Sequence, residues 1–179
     1  MKYKALFIVA ALASFLSQAA RADNIYVTVD GVNGSTAVKG HEKTIVATAF
    51  SLDTSGPAGI ATAARPAVAK STLSLTLDLD ASTPELFVKA ASNIRIPTVV
   101  VEVVAASPDG KERNVLTIKL STVEIAKMDI HTKAGVQTPT PVVDLTLDAE
   151  KIEVTDVTTA SATGTNVQSG YNLTKNTGN

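Results

Sequence analysis

Leu73, Leu75, Leu77 and Leu79 alternate without a break with Ser74, Thr76, Asp78 and Asp80. Extended backbone repeats every two residues, so this stretch sets four leucines on one face and polar groups on the other. A helix would scatter the same leucines around its circumference. The segment is therefore expected as a strand with one face on a core and the other in water, and the rest of the chain must supply the sheet around it.

Other segments have the right character. Ile25, Val27 and Val29 alternate with Tyr26 and Thr28, a run of turn formers follows from Asp30 to Ser35, and Thr44 to Leu52 resumes in β-branched and apolar residues. Thr98 to Ala105 is nearly continuous valine, which predicts a strand covered on both faces, and Ser107-Pro108-Asp109-Gly110 turns the chain back. On the return, Leu116, Ile118 and Leu120 share one parity while Val123 and Ile125 have the other. Val143, Leu145 and Leu147 likewise give way to Ile152 and Val154. One inserted residue flips every later side chain, so a bulge near Ser121 to Thr122 is expected. Two long strands that change face midway suit a curled barrel, or a sandwich whose strands cross between sheets.

One short helix interrupts this pattern. Ser82-Thr83-Pro84-Glu85 reads either as a capping box from Ser82 or as Thr83 capping with Pro84 in the first turn, and Leu86, Ala90 and Ile94 follow at a spacing of four. Asp53 to Lys70 is small, punctuated by Pro57, Gly59 and Pro66, and lacks periodicity, so a projecting loop is expected over 53–70. From Thr158 to Asn179 large apolar residues are scarce; this end is expected to be mobile, with only Tyr171, Leu173 and their neighbours able to dock.

At the start of the chain, Lys2 and Lys4 precede a run from Ala5 to Leu16 without a charge, and Ala20-Arg21-Ala22 follows. The apolar run is short of the ~20 residues that span a bilayer, and small residues at Ala20 and Ala22 suit removal of a leader, with cleavage before Asp23. Residues 1–22 are thus expected as a signal peptide and 23–179 as one exported domain, periplasmic or extracellular, with no stable membrane insertion after cleavage. The leader carries three of the 16 basic residues and none of the 17 acidic ones, which leaves 13 against 17 and a net charge of −4. Such a balance argues against nucleic acid as a partner. With no cysteine, stability must come from the core, from assembly, or from both.

Candidate chemistry is sparse. His41 and His131 have no ligand partner at short spacing and are expected to be exposed or hydrogen-bonded. Asp78 with Asp80, and Asp144 with Asp148, have even spacing that places each pair on one strand face, where a solvated surface is the simplest use. Ser55-Gly56 and Ser169-Gly170 lack a nucleophile-elbow pattern, and no glycine-rich loop opens a helix to cradle phosphate. Asn33-Gly34-Ser35 and Asn172-Leu173-Thr174 match the three-residue glycosylation signal, which has meaning only in a host that glycosylates. No enzymatic activity, metal or cofactor is expected.

In the order and spacing of its pieces, the chain from Ile25 to Asn176 resembles the haemolysin-coregulated protein (Hcp) family, the tube subunits of type VI secretion, which are related to phage tail-tube proteins. The carriers are IYVTVDGVNG, HEKTIVATAFSLDTSG, LSLTLDLDASTPELFVKAAS, the hairpin PTVVVEVVAASPDGKERNVLTIKLSTVEI, and GYNLTKN. The resemblance implies a mainly β, tail-tube-like fold: two antiparallel sheets forming a small barrel or sandwich with one flanking helix. It also implies self-association into hexameric rings that stack as a tube, with cargo effectors or other secretion components as further partners. The loop bearing Ser55, Gly56, Pro57, Ala58, Gly59, Ile60, Arg65 and Pro66 matches the family's extended loop and is expected to reach the next ring. Two features depart from the family: a cleavable leader, and Tyr171 where tryptophan is usual. They point to an exported relative. The rival reading is a monomeric exported β-sandwich serving as a binding or adhesin-like module, which the scarcity of aromatic residues weakens.

Overall fold

The computed structural model describes residues 24–55, 70–106, 112–132, 140–156, 167–173 and 177–178. Its elements run β1 (Asn24–Val29), β2 (Ile45–Ser55), β3 (Lys70–Asp78), α1 (Thr83–Ala91), β4 (Ile96–Ala106), β5 (Glu112–Thr132), β6 (Pro141–Asp156), β7 (Val167–Asn172) and β8 (Thr177–Gly178). The strands hydrogen-bond in the order β3-β2-β1-β4-β5-β6-β7-β8, and an additional β3–β6 pairing closes the first six into a barrel. Each pairing is antiparallel.

The two expected sheets are two regions of this one sheet. β2, β3, β6 and β5 lie side by side at one level, where β3 pairs β2 from Ala47 to Ser55 and β6 from Val142 to Asp148. At the other level β1 pairs β4 and β4 pairs β5, while β6 changes partner and takes β7 from Lys151 to Asp156. β5 spans 21 residues and β6 spans 16, so both pass through both regions without breaking their ladder.

The shift in parity is one event shared by those two strands. Ser121 lies opposite Lys151 and Val123 opposite Ala149, which sets Thr122 against Glu150 with no slip between them. Thr122 has φ 54°, a left-handed conformation rare for a β-branched residue. Rotation there lets Leu120 and Val123, and across the rung Leu147 and Ile152, all face the core. The expected bulge at Ser121 to Thr122 is therefore a left-handed residue in an intact ladder. The register shifts lie elsewhere: between Val103 and Val104 against β5, between Ile125 and Lys127 against β6, and between Ala47 and Ala49 against β3.

Leu73, Leu75 and Leu77 are buried as their period requires, with Val143, Leu145, Leu147, Val99, Val101, Ile118 and Leu120 around them. The fourth leucine is not: β3 ends at Asp78, and Leu79 is 48% exposed. β4 is buried on its core side, but its second face, bearing Val100 and Glu102, is only half covered. The 53–70 loop is shorter than expected, since Asp53 to Ser55 pair with Thr72 to Lys70. β-branched and hydroxyl residues extend a hairpin as readily as apolar ones where the facing strand is already ordered. At the other end, Val167–Asn172 pairs with β6 and Thr177–Gly178 with β7, and Leu173 is buried. There β6 offers an edge that β3 has left, and unpaired backbone groups at a sheet edge favour such docking.

Helix α1 begins after Ser82, which has no side-chain capping bond, so neither capping scheme is used; Ser82 and Thr83 turn back to Asp80 instead. The helix ends as expected near Ser92 and Asn93. Asn93 is left-handed at φ 50°, the Ile94 N–H donates to Lys89 C=O at 2.9 Å, and the Asn93 N–H to Ala90 C=O at 3.3 Å. This pair of bonds satisfies carbonyls that the last turn would orphan. Only Leu86 of the expected stripe is fully buried; Phe87 is 57% exposed, and Ile94 lies beyond the helix and is exposed.

Candidate functional site

The four-stranded region β2-β3-β6-β5 presents its core side to the leucines and its other side to solvent. Alternation and register place Ser51 and Asp53 of β2, Thr72, Ser74, Thr76 and Asp78 of β3, Asp144, Thr146 and Asp148 of β6, and Glu124, Lys127, Asp129 and His131 of β5 on that free face. It is polar and mostly acidic. Cross-strand hydroxyl to carboxylate bonds rigidify it: the Thr76 hydroxyl donates to Asp144 Oδ1 at 2.7 Å and the Thr72 hydroxyl to Asp148 Oδ1 at 3.0 Å. His131 Nε2 lies 3.8 Å from Asp144 Oδ2. Two adjoining depressions of about 320 and 380 Å³ share Thr76 and Asp144. Among the described residues no group of three His, Cys, Asp or Glu side chains is arranged to hold a metal ion.

The same region has two open sides. β1 pairs β2 only through Ile45, Val46 and Ala47, so from Thr48 to Thr54 the side of β2 away from β3 faces no strand among the described residues. β4 pairs β5 only as far as Val123, so from Glu124 to Thr132 the side of β5 away from β6 likewise faces no strand among the described residues. Phe50 and Leu52 at one side, and Met128 at the other, pack against the core from partly buried positions, and Ile130 is exposed. These are half-finished edges with apolar margins.

A second polar cluster ties the β1–β2 loop to the barrel. The Asp80 carboxylate accepts from the Ser35 N–H at 3.1 Å and the Ser35 hydroxyl at 3.2 Å through Oδ2, and from the Ser82 N–H at 2.9 Å and the Ser82 hydroxyl through Oδ1. Further along the loop, the His41 ring stacks on Tyr26 with centroids 4.0 Å apart and planes 10° apart. His41 Nδ1 is 3.5 Å from Glu102 Oε2. Tyr26 is thereby only 3% exposed although it points away from the main core. Burial, reinforced by the charge of Glu112, pushes its phenol above the usual range, while a hydrogen bond with Asn24 opposes the shift. The Glu153 carboxyl is held below its usual range by its hydrogen bond from Lys151, 2.8 Å away.

The sequence-based candidates fare unevenly. Asp144 and Asp148 share a face, as their spacing requires; Asp78 and Asp80 do not, because the strand ends between them and Asp80 turns toward Ser35 and Ser82. His41 is half-buried in a stack rather than exposed or hydrogen-bonded through Nδ1. Ser55 belongs to β2, whereas Gly56, Pro57, Ala58, Gly59, Ile60, Arg65 and Pro66 lie outside the described residues, as do Ala20, Ala22 and Asp23. The open sides of β2 and β5 were not foreseen, since only strand register reveals them. Among the described residues no helix is long and apolar enough to cross a membrane.

The closed antiparallel barrel thus carries a flanking helix and one polar sheet face. Residues 26–155 match the model of the family described as type VI secretion system effector, Hcp, and the chain belongs to that family. Its class is that of tube-subunit-like structural proteins of type VI secretion, not of enzymes. Hcp1 from Salmonella typhimurium superimposes with a TM-score of 0.74 at 17% identity, over 88% of this chain and 99% of that one. A type VI secretion system effector from Yersinia pestis gives 0.63 at 19% identity, over 83% and 99%. The secreted protein Hcp3 from Pseudomonas aeruginosa gives 0.61 at 19% identity, over 82% and 97%. No curated protein matches.

Proposed function

We propose that the mature chain is exported and closes side by side into rings, hexameric by the family resemblance, that stack into a tube able to hold cargo. The observation that carries this reading is the pair of open sides on one four-stranded region. An exposed strand edge recruits another strand, and joining the β2 edge of one copy to the β5 edge of the next is a heterologous contact that repeats around a ring. Four antiparallel strands per copy place opposite directions at the two margins, so every junction continues the antiparallel sheet. The rest of the barrel and α1 lie on the core side and need the larger circumference. The polar face bearing Thr76, Asp144 and Asp148 then lines the channel. The β2–β3 hairpin runs out of this region at Ser55 and Lys70, which supports a stacking role for residues 56–69.

Native mass spectrometry of the mature chain tests the ring. A closed oligomer is expected, and Ile130→Lys, on the exposed margin of β5, should disperse it while the fold survives. A strict monomer at high micromolar concentration would instead support the monomeric binding module. Replacing residues 56–66 by a short Gly-Ser linker should leave ring size unchanged, since loop closure depends weakly on length, and should abolish stacks seen by electron microscopy. Stacks that persist would place the stacking contact elsewhere.

A further inference from the structure

We propose that Asn33-Gly34 is a self-modifying site that the fold holds silent: the pair deamidates only when the segment 33–36 opens from 43–44, and its isoaspartyl product prevents that segment from closing again. Asn33-Gly34 is the one Asn-Gly pair in the sequence. Its chemistry is intramolecular. The Gly34 nitrogen, once hydroxide has taken its proton, attacks Asn33 Cγ; the new C–N bond closes a cyclic imide, the Cγ–Nδ2 bond breaks, and ammonia leaves. Water then opens the ring, giving aspartate where it enters at Cγ and isoaspartate where it enters at the main-chain carbonyl. Glycine in second place favours the attack, because no Cβ hinders the nitrogen or restricts its backbone. Asn33 is exposed, so hydroxide and water reach the site.

The folded main chain withholds the nucleophile. The Gly34 N–H donates to the Lys43 C=O at 2.8 Å, so the proton that must leave is already held and the nitrogen is fixed between two segments. Its neighbours are pinned as well. Val32 is buried and its N–H donates to the Val29 C=O at 3.0 Å, the Ser35 N–H and hydroxyl donate to Asp80, the Thr36 N–H donates to the Thr44 C=O at 3.3 Å, and the Lys43 N–H to the Thr36 C=O at 2.8 Å. Gly34 has no room to shift, since a Cβ placed on it would collide with the Thr44 main-chain carbonyl. This tightness decides the fate of the products. Isoaspartate carries the main chain through Cγ and lengthens it by one carbon ahead of Gly34, so the donors of Gly34, Ser35 and Thr36 lose register with Lys43, Asp80 and Thr44. Aspartate keeps the ordinary chain and closes normally. Opening also changes the barrel surface, because the loop held by these bonds carries His41, whose ring stacks on the buried Tyr26. The isoaspartyl chain therefore uncovers Tyr26 on the outer side of β1.

The test incubates the purified protein at mildly alkaline pH and reads conversion of Asn33 by peptide mass mapping, with fragmentation to tell isoaspartate from aspartate. Three samples are compared: the native chain, the chain unfolded in urea, and Lys43→Pro, which loses the N–H bonded to Thr36 and cannot hold the φ of 62° that Lys43 adopts. A site that reacts only when open is slowed by its opening equilibrium, so conversion should be at least about tenfold slower in the native chain than in urea, and at least about threefold faster in Lys43→Pro than in the native chain. Hydrogen exchange then compares the isoaspartyl chain, converted in urea and refolded, with Asn33→Asp and Asn33→Gln. The amides of Ser35, Thr36 and Lys43 should exchange at least about tenfold faster in the isoaspartyl chain and at the native rate in both variants. Equal conversion in the native and unfolded chains, or none in urea, overturns the silent site. Native-like exchange in the isoaspartyl chain overturns the block to closure. Should circular dichroism show Lys43→Pro unfolded, Asp80→Ala, which releases Ser35, takes its place with the same expectation; conversion no faster than native in a folded variant whose 34–36 amides exchange faster overturns the dependence on opening.

Discussion

Replacing Asp80 by alanine should cost about 2–3 kcal/mol, most of it from one of the two residues it holds. The carboxylate receives two donors from Ser35 and two from Ser82. The two sets differ in surroundings. Ser35 is exposed, so water replaces Asp80 there and the loss is small. Ser82 is buried at the start of α1, and removing its acceptor leaves an N–H and a hydroxyl without a partner; each such buried group costs about 1–3 kcal/mol, with overlap between neighbours. For a chain of this size the loss should lower Tm by about 5–10 °C. Urea unfolding followed by circular dichroism measures it, at fixed protein concentration because assembly adds concentration-dependent stability. A double-mutant cycle isolates the cause. Ser82→Ala in the Asp80→Ala background removes the orphaned hydroxyl, so the double variant should lose at least ~1 kcal/mol less than the two single losses added. Additive losses, or an Asp80→Ala cost below about 0.5 kcal/mol, would refute the claim that this carboxylate holds the buried start of the helix.

Thr122→Gly should stabilise the fold by roughly 0.5–1 kcal/mol, because relief of a left-handed β-branched residue outweighs the extra backbone entropy of glycine; a loss of stability in urea would show that the Thr122 side chain repays its strain. Raising pH through the tyrosine range should destabilise the protein. The folded-state phenol of Tyr26 is raised, so its contribution is fully present below the unfolded value and is lost as pH climbs through the folded one, and Tyr26→Phe should flatten the part of the Tm profile above about pH 10 that Tyr26 contributes. Leu75→Ala, at the centre of the leucine face, should cost about 2–5 kcal/mol in the same urea assay; a cost under about 1 kcal/mol would mean the barrel collapses around the gap.

The sequence made strand faces legible where one side is buried and the other wet. Leu73 to Leu77 obeyed the period of two, and the two parity slips marked one change of face shared by β5 and β6 at Thr122. Their nature was hidden, because a left-handed residue and an inserted residue both flip the following side chains, and only register separates them. Leu79 misled for a local reason: the alternation runs one leucine past the strand, where Asp80 is drawn to Ser35 and Ser82 across 45 and two positions of sequence. The stack of His41 on Tyr26 was equally out of reach, since nothing in the loop from Asp30 to Lys43 fixes which way it folds over the barrel. The family resemblance supplied the mainly β frame with one flanking helix, and the β3–β6 pairing decides between barrel and sandwich.

The open sides of β2 and β5 follow from unequal lengths. β1 has six residues against 11 in β2, and β4, with 11, lies beside a β5 of 21. A barrel closes only where each strand has two neighbours, so the surplus of β2 and β5 must protrude as a region whose two margins face no strand among the described residues, whichever side chains it bears. Lengthening β1 backward would cover the β2 margin from within the same chain; lengthening β4 backward from Ile96 would cover β5, but there the chain turns instead into Arg95, whose guanidinium pairs with Glu150 at 2.8 Å, and into α1. The two margins are thus set by different means. The β5 margin is fixed by a helix that the sequence encodes between β3 and β4, and the β2 margin by the shortness of β1.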